Sequence, residues 1–339
     1  MSEFEIDADI RKAWTLPSRF YTENAYFDLS KKRIFARCWH FLGRLDGSET
    51  IRPSVILPGF LDEPILLSLS NGNLNCLSNV CTHRGKILVE KPCDANLIRC
   101  EYHGRRFALD GKFLSMPEFD AAENFPSATD DLHQYAVANS AGFLFVSGAP
   151  AASFDEFVGE ARGCVLKLKG DELHLKETKA YDVAAHWALY CENYLEGFHI
   201  PFVHKGLNEV VDYGSYKTET FRYSSLQTGY DDVGEIVGQY LFIFPNIMLN
   251  FYPWGLSINI VEPLTSARSR IKYLTYVSDG SKYGTGAGGD LHRVELEDEA
   301  VVESVQRGIR SRHYDRGRYS PTREQGTHHF HRLIAEFME

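Results

Sequence analysis

Two hydrophobic periodicities divide the chain. Up to about residue 40 the apolar positions recur at helical spacing: in SKKRIFARCWHFL, Ile34, Phe35, Trp39 and Leu42 fall near one face, which predicts helices across residues 1–44. From residue 50 the pattern shortens. PILLSLSNGNLNCLSNV reads as two apolar strands about Asn71-Gly72, and RRFALDGKFLS as two more about Asp110-Gly111, dipeptides that favour the left-handed geometry of tight hairpins. Residues 45–150 therefore predict a small all-β unit. Beyond residue 153, FDEFVGEARG and HWALYCENYLEGFH read as helices, while YLFIFPNIMLNFYPWGLSINIVEPL and RIKYLTYVS read as long strands. Residues 291–311 and 321–338 close the chain as helices, with Pro321 suited to the first helical position after a Ser320 cap. For residues 151–339 this predicts an antiparallel sheet with helices packed on it, so the chain as a whole is α+β.

Composition narrows the class. A chain of 339 residues, 44% of them hydrophobic, supports one or two cores. No run of eighteen apolar residues occurs, and MSEFEIDADIRKAW lacks the basic-then-apolar layout of a signal peptide, so the expectation is a cytoplasmic protein with no membrane contact. A net charge of −10 argues against nucleic acid as a partner, because phosphate neutralisation needs clustered Lys and Arg. Seven cysteines (Cys38, Cys76, Cys81, Cys93, Cys100, Cys164, Cys191) form an odd set without a secretory signal, which favours metal binding or burial over a disulfide framework.

Cys81 and His83 lie in CTHRG, and Cys100 and His103 in CEYHG, with 16 residues between His83 and Cys100. Two thiolates and two imidazoles suit either tetrahedral zinc or a [2Fe–2S] cluster in which two His replace two Cys. The mixed pairs, Cys-x-His and Cys-x-x-His, favour the cluster, because each loop can then supply one sulfur and one nitrogen. The segment resembles the Rieske domain, whose signature is CxHRG followed by CxYHG. It departs from many relatives in carrying Arg105 where they have Trp, at a position that is not a ligand.

NYLEGFHIPFVH, residues 193–204, holds the second constellation. Asn193, Glu196 and His199 are spaced three apart, which predicts one slowly drifting helical face, and Pro201 breaks the helix before His204. Two His with one carboxylate is the ligand set of non-haem Fe(II), leaving three positions open. Together with the first motif, Asn193, Glu196, His199 and His204 resemble the signature of the Rieske non-haem iron oxygenases, alpha subunit. The likeness runs from TLPSRFYTENAYF to HHFHRLI, and AWTLPSRFYT with the Glu at 196 is similar to the choline, betaine and carnitine oxygenase branch.

That resemblance implies a helix-grip-like catalytic domain, a Rieske [2Fe–2S] cluster on Cys81, His83, Cys100 and His103, and a mononuclear Fe(II) on His199 and His204. It also implies that Glu196, where most relatives have Asp, joins His199 to His103 of the partner subunit in a homotrimer. Because the resembling proteins carry the acidic pair ED about eight residues before the Gln of VQRG, the resemblance implies Asp298 as the third iron ligand, with Glu299 in reserve; the other acids of VELEDEAVVES read as a solvated helix face. The implied activity is oxygenation of a small organic substrate with O₂, either a quaternary ammonium or amine compound or an aromatic acid. Electrons would come from an NAD(P)H-dependent reductase, directly or through a ferredoxin. Rieske potentials lie at least ~250 mV above plant-type ferredoxins, so that transfer is downhill by about 6 kcal/mol per electron. The rival reading is a non-catalytic Rieske electron carrier fused to a ligand-binding domain.

Four further features carry less weight. Asn246, Met248, Asn250 and Tyr252 share a strand face suited to a substrate cavity, and Tyr190, Phe198, Phe202 and Trp254 are candidates for an aromatic cage. The glycines of GTGAGG match GxGxxG in spacing, but no strand leads directly into them, so a loop is expected. THHFH suggests a surface or subunit contact.

Overall fold

The computed structural model describes residues 4–44, 49–161, 163, 173–289 and 291–339; Cys164 and Arg162, the latter near the end of FDEFVGEARG, lie outside them. The chain divides into two compact units, one of Trp39–Ala151 and one of Met1–Cys38 with Ala152–Glu339.

In the smaller unit, β1 (His40–Arg44), β2 (Ile51–Ile56), β3 (Glu63–Ser70), β4 (Asn73–Ser78), β8 (Gln134–Ser140) and β9 (Phe143–Ser147) form a six-stranded sheet in the order β1-β9-β8-β4-β3-β2. The short strands β5 (Ile98–Arg99), β6 (Arg106–Phe107) and β7 (Phe113–Ser115) form a second sheet. The Asn71-Gly72 and Asp110-Gly111 hairpins fall where their dipeptides lie. A core of Ile51, Leu66, Leu77, Leu88, Ile98, Phe107 and Leu132 includes both motif cysteines, Cys81 and Cys100. Apolar packing therefore positions the thiols before any metal does.

The helix expected through Leu42 stops early. Helix Asn24–Arg33 gives way to a single turn at Phe35–Arg37, and His40–Arg44 pair with β9 as a strand. The first boundary thus falls after Cys38 rather than at residue 44. Phe35 meets the Trp187 ring at 4.9 Å while Phe41 meets Phe145 at 5.5 Å, so the segment with apparent helical spacing serves two cores.

Arg105, in the position where Trp is common, is 2% exposed; its guanidinium pairs with Asp130 and lies 4.9 Å from the Phe113 ring centroid. Burial raises the Asp130 carboxyl, but the Ser127 N–H and the Arg105 guanidinium more than offset this and leave it below the usual range. Asp130→Ala strands a buried cation and is expected to cost about 3 kcal/mol in urea unfolding. Because the folded carboxyl titrates low, that difference is present at neutral pH and disappears as pH falls below about 4 through the folded value. Equal stability of variant and wild type at pH 7 would contradict this.

The larger unit is built on a seven-stranded antiparallel sheet. Its order is β10 (His174–Val183), β16 (Arg268–Val277), β15 (Gly255–Thr265), β14 (Ile247–Tyr252), β13 (Ile236–Ile243), β12 (Ser224–Tyr230) and β11 (Lys217–Thr220). β12 and β15 are buried on both faces over most of their length, so the two-residue alternation is weak there. Helices Trp187–Tyr194, Leu291–Gly308 and Gln325–Met338 belong to the same unit, and none in the described residues is long and apolar enough to cross a membrane.

The last helix begins at Gln325, four residues after Pro321. THHFH is not a surface feature: His331 is fully buried, with Nδ1 2.6 Å from the Tyr319 hydroxyl and Nε2 3.1 Å from Glu192 Oε1. Gly284 lies in a turn and Gly286–Gly288 form a single 3-10 turn, with no strand running directly into them as a phosphate loop requires.

Candidate active site

The two Rieske-type loops are closed by the same pair of bonds. Gly85 N–H donates to Cys81 O and Gly104 N–H to Cys100 O, each at 3.0 Å; Cys81 N–H donates to Lys86 O and Cys100 N–H to Arg105 O, each at 2.8 Å. Both glycines take positive φ (71° and 75°), which a side chain would strain. The repeated turn presents Cys81 and Cys100 inward, 3% and 2% exposed, and brings His83 Nδ1 to 3.1 Å from His103 Nδ1. Burial, reinforced by Cys100, raises the Cys81 thiol, and burial with the neighbouring His103 lowers the His83 imidazole. Two converging thiols and two converging imidazole nitrogens form a donor set that could hold a binuclear cluster, one sulfur and one nitrogen from each loop.

In the larger unit His199, His204 and Asp298 come together, with ligand atoms within 4.8 Å of one another. Asp298 Oδ1 lies 3.0 Å from His204 Nε2 and 3.6 Å from His199 Nε2. Each imidazole is held from behind. His199 Nδ1 is 2.7 Å from Glu196 Oε1 and His204 Nδ1 is 2.9 Å from Glu297 Oε2, so an Nδ1–H on each ring leaves Nε2 free to ligate. Asn193 Nδ2 donates to Asp298 Oδ1 at 2.6 Å and orients that carboxylate. Burial opposes protonation of His204, but Asp298 and Glu297 outweigh it, and its imidazolium is favoured. The cluster of carboxylates is thus built to hold positive charge.

The local backbone differs from the expected continuous helix. Helix Trp187–Tyr194, whose first turn is capped by His186 Nδ1, ends before Glu196. Asn193 alone is helical; Glu196 lies outside any helix or strand, and its Oε2 accepts the N–H groups of Phe198 and of His199, the latter at 3.1 Å. His204 sits between the short helices Ile200–Val203 and Lys205–Asn208.

A cavity opens beside these groups. It is lined by Tyr190, Tyr194, Tyr216, Tyr240 and Tyr252, by Asn250 and Asn259, and by Glu196, Glu295 and Asp298. Asn250 and Tyr252 occupy the strand face expected for a cavity, but Phe198 and Phe202 are 40% and 76% exposed and lie outside it. Trp254 stacks on Tyr252 at 5.0 Å instead of lining the space, so of the proposed cage only Tyr190 belongs. The acids of helix Leu291–Gly308 are largely engaged rather than solvated. Glu295 accepts the Tyr190 hydroxyl at 2.7 Å and that of Tyr273, Glu297 backs His204, and Glu303 accepts Ala184 N–H at 2.9 Å. Glu295 and Glu297 were missed by the sequence reading. For Glu295 the available signal was its spacing, because Leu291, Glu295, Asp298, Val302 and Gln306 form one i, i+3/i+4 stripe; Glu297 stands off that stripe.

Paired Cys/His loops in one unit and a two-His, one-carboxylate face in the other are donor sets suited to a binuclear cluster and to a mononuclear metal. Residues 57–126 match the Rieske [2Fe-2S] domain, and residues 218–339 match the ring hydroxylating alpha subunit (catalytic domain). The chain is 28% identical to the chloroplastic choline monooxygenase of Arabidopsis thaliana, covering 98% of this chain and 85% of that protein. It is 29% identical to the carnitine monooxygenase oxygenase subunit of Escherichia coli (strain K12), covering 97% and 95%. The crystal structure of the quaternary ammonium Rieske monooxygenase CntA with L-carnitine aligns with a TM-score of 0.78 at 26% identity, over 98% of this chain and 97% of that one. The chain thus joins a Rieske domain to a ring-hydroxylating alpha-subunit catalytic domain, and choline and carnitine monooxygenases are its homologues. It is the oxygenase component of a system with a separate reductase, and its cofactors are a Rieske [2Fe–2S] cluster and a non-haem iron.

Proposed function

We propose that this oxygenase component hydroxylates or oxidatively demethylates a small quaternary ammonium or amine compound. The observation that carries the reading is the lining of the cavity: five tyrosine rings and Glu295, a carboxyl that the metal centre does not use, with no Lys or Arg among the described lining residues. Ring faces attract alkylammonium ions, whereas an aromatic acid would need a cationic partner. The choline and carnitine monooxygenase relatives support the same substrate class.

In this proposal Cys81, His83, Cys100 and His103 hold the cluster, and His199, His204 and Asp298 hold the iron. When bound, the cluster supplies electrons singly and the ferrous ion supplies the site of O₂ activation. The chain's own residues do the rest. Glu196 and Glu297 fix the Nδ1–H of the two imidazoles, Asn193 orients Asp298, and the tyrosines exclude water and seat the cation. Residues 45–150 serve as the relay domain and residues 151–339, with the N-terminal helices, as the catalytic domain. Three copies assemble so that Glu196 of each approaches His103 of the partner subunit, and an NAD(P)H-dependent reductase, with or without a ferredoxin, delivers the electrons. Family resemblance supports both of these assignments.

O₂ uptake with a surrogate reductase tests the substrate class. Choline, carnitine, glycine betaine or a simpler methylated amine should give uptake matched by product, while benzoate gives none. Coupled turnover of benzoate in preference to every cation would overturn the reading.

A further inference from the structure

We propose that Glu295 is the specificity-determining counter-charge that selects a cationic head group in the catalytic cavity, an inference that rests on the amine-substrate reading above. Glu295 lies on the stripe of helix Leu291–Gly308 that carries Asp298, one turn earlier, and it lines the cavity that Asp298 also lines. It lines a second cavity as well, bounded by Glu177, Lys179, Tyr273 and His292, so its carboxyl stands in the wall between the two spaces.

Its ligands within the fold are neutral. The hydroxyls of Tyr190 and Tyr273 both donate to Oε2 and lie 2.5 Å from each other, and no Lys, Arg or His is paired with the carboxyl among the described residues. Hydroxyls on a single oxygen leave Oε1 to face other groups. Burial, with the Tyr273 and Tyr190 bonds opposing it and Asp298 and Glu299 adding to it, raises the carboxyl to about 8, as expected of an acid drawn in from water without a cation. An ammonium group entering among the tyrosine rings supplies that missing charge. The residue is not needed to hold iron, because Glu196 and Glu297 already back the two histidines.

The test compares choline with 3,3-dimethylbutan-1-ol, its uncharged isostere, binding to the anaerobic holoenzyme at pH 8.5 by calorimetry. Wild type should prefer choline by about tenfold or more, the scale of a charge-assisted contact, and Glu295→Gln should lose most of that ratio while binding the alcohol as before. Tyr273→Phe removes one hydroxyl that competes for the carboxylate and should raise the ratio, which keeps the inference testable if the Gln variant does not fold. A ratio unchanged in both variants, with wild type still preferring choline, overturns the role of Glu295 and leaves the cationic substrate standing. No preference in wild type overturns both.

Discussion

His199→Ala is expected to abolish substrate oxidation and to remove about one iron per chain, while the visible spectrum of the cluster survives. The two effects separate because the ligand sets lie in different compact units: His199 belongs with Ala152–Glu339 and the Cys81 and Cys100 loops with Trp39–Ala151. With Nε2 of His199 gone, His204 and Asp298 remain as a two-point site, and Glu196 is left with no imidazole to orient. Removal of a group that only backs a ligand costs roughly 10–100-fold in affinity or activity, so removal of the ligand itself should exceed that. Iron analysis and the cluster spectrum, read on the same sample, check both halves. Loss of the cluster spectrum along with the iron would show that the residue supports folding rather than one metal.

Glu196→Gln carries the next largest expectation. The substitution keeps an oxygen for the Phe198 and His199 N–H groups but removes the charge facing His199 Nδ1–H, so the local turn persists while the imidazole loses its anionic partner. Cluster spectrum and fold should be retained, and product from a single turnover of the fully reduced protein should fall by about 10–100-fold. Single-turnover yield is the informative readout, because reduction by the partner reductase is already complete before it begins. A wild-type yield from the Gln variant would remove Glu196 from the link between the centres.

Much of this site could be read from the residues because its chemistry is local in sequence. CTHRG and CEYHG are each a single turn, and their spacing alone places sulfur and nitrogen donors on one side of the loop. Asn193, Glu196, His199 and His204 likewise fall within twelve residues, and Asp298, named through the family resemblance, lies beside both histidines. The geometry linking them was less legible. A three-residue spacing predicts a helix, yet Glu196 lies past its end, because its carboxylate takes the backbone N–H groups that a continuing helix would have committed elsewhere.

Residues that act through distant contacts were harder to find. Glu295 and Glu297 stand in a run of acids that resembles a solvated face; the spacing puts 295 and 298 on one stripe, but the helix position over the cavity is what turns that stripe inward. The tyrosines of the cavity come from the 187–194 helix, from β13 and β14, and from Tyr216, which no local window brings together. Phe198 and Phe202 look like cage residues because they flank the histidines, but the turn that brings the imidazoles inward carries the phenylalanines outward. The same competition hid β1: residues 34–42 have helical spacing, but Phe41 packs with Phe145 and the chain crosses into the other unit at Trp39.

The most direct measurement is the iron and acid-labile sulfide content of anaerobically reconstituted wild-type protein, set beside that of His199→Ala. A chain that houses both a relay cluster and an oxygen-activating centre should hold about three irons and two sulfides, falling to about two irons in the variant with sulfide unchanged. Two irons in the wild type and no difference between the proteins would mean an electron carrier without a mononuclear centre.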